Sequence, residues 1–391
     1  MSLPLRCETH AGLARISDPE WERLFPGLPD PAALIYFVQQ CGLDGFEFHS
    51  VTVQENDRVV LYVPLFEVTY AVSGLLDGFL RAVTGTIGRW LPRVLRPRIL
   101  GLGFVEGEWG QIGYVRQSDP TMLRAAWGLA WEAIGSLQQA HRIDMTALVN
   151  FTEATGRIVP PETVSRFATL SSMPYGQVPI VFNSVEAYLS SLSKSTRKDL
   201  RRKLRDAGRV SIQRTRDPGP WIDDIYRWYR DTAERGEMVF GLHRRAYFER
   251  VCDAVPGAEY VLYFIDGTVA AFNLILRTPD CLLDKYFGMH ETLGREHDLY
   301  FVSWIENIRD CIDHGLPLYH AGQGTEMTKQ RLGANLIPSI NLFAHRGRVA
   351  QSLLKALARR VAYQSPVALP SVRLGLGWTD ASSVEPAPQR I

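Results

Sequence analysis

The sequence predicts an α/β (α+β) protein of two tandem lobes, each a mixed, mostly antiparallel sheet flanked by helices. Three observations carry that prediction. The length of 391 residues exceeds what one hydrophobic core usually organises. Apolar residues make up 46% of the chain and charged residues 22%, which supplies core material for two lobes. The order strand, tight turn, strand, third strand, helix, strand occurs twice, in residues 46–151 and again in 259–322.

The first copy opens with "GFEFHSVTVQ" and "RVVLYVPLFEV", rich in β-branched and aromatic residues, around a polar turn at Glu55, Asn56 and Asp57. In "SGLLDGFLRAVTGTIGRWLPRVLRPRILGLG", Leu75, Leu76, Phe79, Leu80 and Val83 recur at helical spacing, and Arg89, Arg93, Arg96 and Arg98 follow, so the element is amphipathic and basic. Its Trp90, Leu91, Val94 and Leu95 either cover the lobe's core or make a peripheral membrane or acyl-chain contact. Pro92 and Pro97 interrupt a regular interfacial helix and favour the core. After the strand-like "EWGQIGYV", Asp119 as N-cap and Pro120 in the first turn start a long helix through "MLRAAWGLAWEAIGSLQQAHR", and "MTALVNF" is a strand. Proline and polar content rises in "TGRIVPPETV", which sets the lobes at 1–165 and 166–391, the second carrying the candidate site.

In the second lobe "VEAYLSSLSKSTRKDLRRKLRDAG" reads as one helix ending near Gly208. "VSIQRT" is a short strand, and "WIDDIYRWYRDTAERG" and "RRAYFERVCDAV" are helices. "AEYVLYFIDGTVAAFNLILR" is a strand, an Asp266-Gly267 hairpin turn and a strand. A strand "CLLDKYFGM", a helix "LYFVSWIENIRDCIDHG" and a strand "LYHAG" complete the repeat.

Forty-three basic residues against 42 acidic ones exclude a globally nucleic-acid-like balance, so polyanion binding has to come from local patches. Five cysteines, Cys7, Cys41, Cys252, Cys281 and Cys311, stand far apart without a C-x-x-C pair, which fits neither a disulfide framework nor a zinc site. No H-x-x-x-H or H-E-x-x-H spacing occurs, so no metal is expected. The absence of G-x-S-x-G argues against an α/β-hydrolase. The N-terminal stretch holds no apolar run long enough for a signal peptide or span, and the expected location is cytoplasmic.

One local patch stands out. Residues 194–208, "KSTRKDLRRKLRDAG", hold seven Lys or Arg and two acids. On a helical wheel Lys194, Arg197, Lys198, Arg201, Arg202 and Arg205 fall within about 140°, apart from Leu200, Leu204 and Ala207. Like charges at i, i+4 cost about 0.2–0.5 kcal/mol each unless an anion lies over them. A solvated face with long apolar stems and an anion site both fit.

Later, in "LYHAGQGTEMTKQRLGANLIPSINLFAHR", a strand ends at a loop with Gly322 and Gly324, followed by Glu326 and Lys329. The basic "SKSTRKDLRRKLRDAG", the Asp266-Gly267 hairpin and the G-x-G-x-E-x-x-K pattern, in that order over roughly residues 180–345, resemble FemAB-like acyltransferases of the GNAT superfamily, in the branch grouped with cellulose-biosynthesis-type acetyltransferases. The resemblance implies two GNAT-like lobes and transfer of an acyl group, with no bound cofactor and acyl-CoA as co-substrate, to a small amine-bearing acceptor such as a sugar or lipid precursor. Typical members cradle the CoA pyrophosphate in a Q/R-x-x-G-x-G/A loop at a helix start. Here that position reads "ETLGREHD", with Gly294 alone, so acyl carrier protein and aminoacyl-tRNA stay open as donors.

Such a transfer needs a neutral nucleophile, a polarised carbonyl and a proton for the leaving group. Glu326 is the candidate proton acceptor, Tyr286 the candidate acid, and Lys329 the candidate oxyanion or phosphate partner. Asp284, His290, His320, Gly322, Gly324, Arg197, Arg201 and Arg205 are the candidate donor- or substrate-binding residues. Glu326 and Lys329 at i, i+3 equally fit an ion pair or a helix-start device, and Tyr286 equally fits a core aromatic. A different class, a non-catalytic module holding nucleic acid or anionic lipid on the basic helix, predicts binding that falls steeply with salt.

Overall fold

A computed structural model describes the chain over residues 5–70, 96–116, 118–235, 241–361 and 364–374. Residues 73–95 of the basic amphipathic stretch, including Arg89, Trp90, Leu91, Arg93, Val94 and Leu95, lie outside the described residues. The chain divides into two compact units, Met1–Met173 with Pro338–Gln364 and Pro370–Ile391, and Pro174–Ile337 with Ser365–Leu369.

Unit 1 runs β1 (Arg6–Ala11), α1 (Asp18–Leu24), α2 (Ala32–Cys41), β2 (Phe46–Glu55), β3 (Arg58–Thr69), β4 (Arg98–Leu102), β5 (Gly113–Tyr114), α3 (Pro120–Ala140), β6 (Met145–Phe151) and α4 (Pro161–Arg166). The β2–β3 hairpin turns through Asn56 and Asp57, both at positive φ, the conformation that matches strand twist and that Asn and Asp tolerate. As expected, Asp119 caps α3, its side chain accepting from the Thr121 amide. The apolar stripe of α3, with Trp127 and Ile134, packs on Val51, Val63, Leu100 and Leu148. On the other side Trp21 of α1, Phe25 just past its end and Ile35 of α2 pack with Tyr62 and Phe104. The sheet order is β1-β2-β3-β4-β6, with β5 also on β3 and a late strand on β6.

Unit 2 uses β7 (Ala168–Pro179) from Pro174 onward, then α5 (Val185–Ser191), α6 (Lys194–Asp206), β8 (Val210–Thr215), α7 (Ile222–Arg235), α8 (Arg245–Ala254), β9 (Ala258–Ile265), β10 (Thr268–Arg277), β11 (Leu282–Met289), α9 (Glu291–Glu296), α10 (Leu299–His314), β12 (Leu318–Gln323) and α11 (Glu326–Arg331). The sheet order β8-β9-β10-β11-β12-β7 repeats that of unit 1. One face carries α10 with α5 and α6, where Leu200, Trp304, Ile305 and Ile308 pack on Tyr263, Ile275, Leu282 and Tyr319. The other carries α7 and α8; a Cβ at Gly288 of β11 would sit 3.0 Å from Trp228 Cβ, which shows how closely α7 rides. Fully burying one side chain such as Leu200 contributes about 1.5–3 kcal/mol.

Two expectations change. The second lobe is not contiguous to the C-terminus. The strand β13 (Asn335–His345) pairs from Ile340 onward with β6, so it and the following α12 (Arg348–Val361) belong largely to unit 1. The single helix expected over 185–208 is two, because Leu192 turns extended and Ser193 starts α6 as N-cap, its hydroxyl accepting from the Thr196 amide. Among the described residues no helix is long and apolar enough to cross a membrane.

Candidate active site

The centre of unit 2 is a fork between β11 and β12. β11 pairs with β10 along its whole length, but with β12 in parallel only at Leu282–Tyr319 and Leu283–His320. Beyond those pairs the two strands share no register. On the β12 side the cause is local. Gly322 and Gly324 stand at positive φ, Thr325 in the left-handed region, and the β12–β7 register shifts between His320 and Gly322. Lys329 fixes this bend: its ammonium donates to the carbonyls of Ala321 at 2.6 Å, Gly322 at 3.0 Å and Gln323 at 2.8 Å. The side chain is buried over Gly176 of β7, where a Cβ would come within 2.9 Å of Lys329 Cδ.

On the β11 side a bulge does the work. Leu274 pairs with Tyr286 and Ile275 with Asp284, so Lys285 is the extra residue. In a regular strand Asp284 and Tyr286, two residues apart, would share a face. With the extra residue Asp284 turns to α10 and Tyr286 to α7 and α8.

Asp284 Oδ2 accepts from Tyr319 Oη at 2.7 Å and from Asn307 Nδ2 at 3.0 Å, and Asn307 Nδ2 also reaches Tyr319 Oη at 3.1 Å. Asn273 Nδ2 on β10 donates to Asn307 Oδ1 at 3.3 Å. Asn273, Asn307 and Tyr319 are fully buried. Burial, then the Asp284 carboxylate, pushes the Tyr319 phenol well above the usual tyrosine range, so it stays a donor and holds the carboxylate in one orientation. Sequence reasoning singled out Asp284 but missed its partners Asn307 and Tyr319 and the Asn273 that supports Asn307, for which no local pattern gives a signal.

The remaining candidates fall in different places. Tyr286 stands edge-on to Tyr229 with ring centroids 5.1 Å apart, and to His243 at 5.5 Å and Phe248 at 5.7 Å, so it belongs to an aromatic wall. His320, on β12, is buried and receives Gln177 Nε2 at 3.2 Å. His290 is the N-cap of α9, with Nδ1 accepting from the Leu293 amide. Glu326 opens α11 and is buried. Lys329, the candidate oxyanion or phosphate partner, donates to three strand carbonyls and so positions the fork.

The "ETLGREHD" segment is not a phosphate loop. Residues 291–296 form α9, and Gly294 is required by packing, since a Cβ there would meet Met289 Sδ at 2.5 Å. Asp298, in the left-handed region ahead of α10, is paired with Lys203, whose ammonium also sits 4.2 Å from the Phe301 ring. Tyr300 Oη meets Thr325 Oγ1 at 3.2 Å, and Arg331 pairs with Asp199 at 3.1 Å. These contacts set α6 and the start of α10 beside the loop that follows β12.

Within α6 the charges divide by face. Thr196, Leu200 and Ala207 face the core. Lys194, Lys198, Arg201 and Arg205 are exposed and fall within about 60° on the opposite face. Arg201 pairs with Glu186, Arg202 with Asp199 and Asp206, and Arg197 Nη1 donates to the Ser190 carbonyl at 3.0 Å. The outward stripe therefore faces away from the core of unit 2.

The family model described as acetyltransferase (GNAT) domain matches residues 194–330, the segment from the start of α6 to α11 that contains the whole fork. No curated protein matches the chain in sequence. Among solved structures the chain is similar to FemX, at 12% identity and a TM-score of 0.55, with 89% of this chain and 100% of that one covered. It is also similar to a tandem GNAT protein from the clavulanic acid biosynthesis pathway, at 13% identity and a TM-score of 0.50, covering 88% and 99%. At these identities the likeness is one of fold, and it extends over both lobes. Residues 194–330 of the second lobe thus match a GNAT acetyltransferase domain, and the two lobes share the fold of FemX and of the tandem GNAT protein.

Proposed function

We propose that the protein transfers an acyl group from an acyl-CoA-type thioester to the amine of a small acceptor, with the donor's reactive arm entering the β11–β12 fork. The fork carries this reading: pairing between β11 and β12 stops after two registers, and the next residue of β11 is a carboxylate oriented by two buried donors. The acceptor nitrogen attacks the thioester carbonyl, the N–C bond forms as the C–S bond breaks, and the nitrogen's proton passes to Asp284 directly or through one water. The thiolate leaves and takes a proton from solvent. Tyr286 and its aromatic neighbours wall the opposite side, and Lys329 keeps the end of β12 bent open. Orientation at such a site supplies much of the acceleration.

A second reading has its own observation. The outward stripe Lys194, Lys198, Arg201 and Arg205 suits a donor with a large polyanionic body, an aminoacyl-tRNA, better than it suits free CoA. Purified protein incubated with a panel of acyl-CoAs and charged tRNAs, each with a mixture of amines, tests both. Acyl transfer from thioesters alone supports the first reading and transfer from charged tRNA alone the second. Failure with every donor removes both.

A further inference from the structure

The first unit holds a polar cluster that acyl transfer does not use. His49 on β2 and Glu67 on β3 project from one sheet face, two residues apart in register, since Glu47 stands opposite Glu67 and His49 opposite Leu65. His141, the C-cap of α3, closes over them, its ring 5.2 Å from that of His49. One donor atom from each of His49, Glu67 and His141 lies within 4.8 Å of the others. His49 is 9% exposed and its Nε2 is buried without a hydrogen-bond partner; Glu67 is 5% exposed. A buried imidazole nitrogen without a partner is costly unless something occupies the space in front of it. Two glutamates directly opposite on neighbouring strands also repel unless a cation lies near both.

Arg98 supplies part of that cation, but only on one side. Its guanidinium takes Glu67 Oε1, with Nε at 3.0 Å, while Oε2 faces His141 Nδ1 at 2.8 Å. We propose that His49, Glu67 and His141 form a binding site for a divalent metal ion of the zinc class. Two imidazoles and one carboxylate are a donor set such ions prefer, and Arg98 on the distal carboxylate oxygen is an outer partner of the kind that orients a metal-bound carboxylate. Ligands at tetrahedral zinc sit about 3.3 Å from one another, so the three side chains draw together on binding. The Nδ1 proton of His141 that now rests on Glu67 moves to Nε2 of the same ring, and neutral imidazole nitrogens and a carboxylate then face the ion. The bound ion pins β2, β3 and the end of α3 together. The ligands lie at positions 49, 67 and 141 on three separate elements, so no local spacing motif could display them, and the sequence expectation of no metal rested on such motifs alone.

The test uses the full chain stripped with chelator and titrated with Zn²⁺ and with Co²⁺. We expect about one equivalent of tightly held metal by elemental mass spectrometry, a higher melting temperature with Zn²⁺, and a Co²⁺ spectrum of tetrahedral intensity without thiolate charge transfer. His141→Ala, at a partly exposed position, and Glu67→Gln should each weaken binding at least tenfold and abolish the thermal shift. Should His49→Ala not fold, those two variants still decide. The proposal is overturned by the absence of stoichiometric binding, by binding that survives both variants, or by a thiolate band, which would place the ion on cysteine instead.

Discussion

The two units share one topology, and they differ at one place. Both contain a parallel strand pair reached through a long helix: β4 with β6 across α3, and β11 with β12 across α10. In unit 1 that pair is closed. Ile99, Leu100, Gly101 and Leu102 register with Met145, Thr146, Ala147 and Leu148, nearly all of β4, and the strand is apolar. In unit 2 the pair stops after two registers, and the residues that follow are Asp284, Lys285 and Tyr286. A repeated fold can thus keep one copy as scaffold and open the other as a site by small local changes: a bulge at Lys285, two positive-φ glycines, and a lysine that satisfies the carbonyls freed by the bend.

The largest effect should come from exchanging the two roles. Asp284→Ala is expected to lower the kcat of the folded protein about 10²–10⁴-fold, and to cost about 1–3 kcal/mol of stability because the buried Tyr319 and Asn307 donors lose their acceptor. Leu102→Ala, in the closed pair of unit 1, is expected to cost about 2–5 kcal/mol of stability and leave the turnover of folded protein unchanged. Glu326→Gln separates the two carboxylates: the fork geometry predicts a far smaller loss than for Asp284→Ala. A larger loss would return the proton-accepting role to Glu326. Steady-state kinetics beside thermal melts decide all three.

Much of this contrast was beyond a sequence reading, for physical reasons that differ by residue. The hairpin turns at Asn56-Asp57 and Asp266-Gly267 were legible because both central φ values are positive and the residue types announce it. Asp119 was legible as a cap for the same kind of local reason. β7 was not, because "SSMPYGQVP" mixes Ser, Pro and Gly in a strand whose partners are distant in sequence. The α9 helix read as loop because its six residues are too few to show a period. Asp284 could be named from its strand, yet its meaning comes from Asn273, Asn307 and Tyr319, brought together only by the sheet and α10. Lys329 looked catalytic because its burial and its three carbonyl partners are tertiary facts.

A second contrast lies in acid sensitivity. Behind the fork, Arg214 and Arg277 bracket Asp310 at 2.6 and 2.7 Å, Glu259 bridges the same two arginines, and Glu306 adds to Arg214. Burial alone would raise the Asp310 pKa, but Arg277 and Arg214 outweigh it and hold the carboxyl below the usual range. A depressed folded value means the stabilisation is complete above the unfolded pKa of about 3.9 and is lost as pH falls through the folded value. Asp310→Ala removes one partner of each arginine while Glu259 and Glu306 remain, and should cost about 1–3 kcal/mol near neutral pH. Melts taken from pH 7 down to pH 2 should show the gap between wild type and variant closing below about pH 4. A gap that stays constant with pH would mean that lost packing, rather than charge pairing, accounts for the cost.

The smallest expected effect distinguishes the inward and outward faces of α6. Lys203 is tied to Asp298 and Phe301, whereas Lys198 and Arg205 on the opposite face carry no ion pair among the described residues. Reversing both, Lys198→Glu with Arg205→Glu, should leave the fold and the turnover of a small acyl-CoA near wild type, because both residues are exposed on the face away from the core. With a charged tRNA as donor the same variant should raise KM, and the rise should shrink as salt is added, since each phosphate contact contributes about 0.7–0.9 to the salt slope. Equal loss with both donors would show that this face serves the site through α6 itself. No loss with either would leave the stripe as a solvated surface, its apolar stems covering the helix and its charges held apart by Asp199 and Asp206.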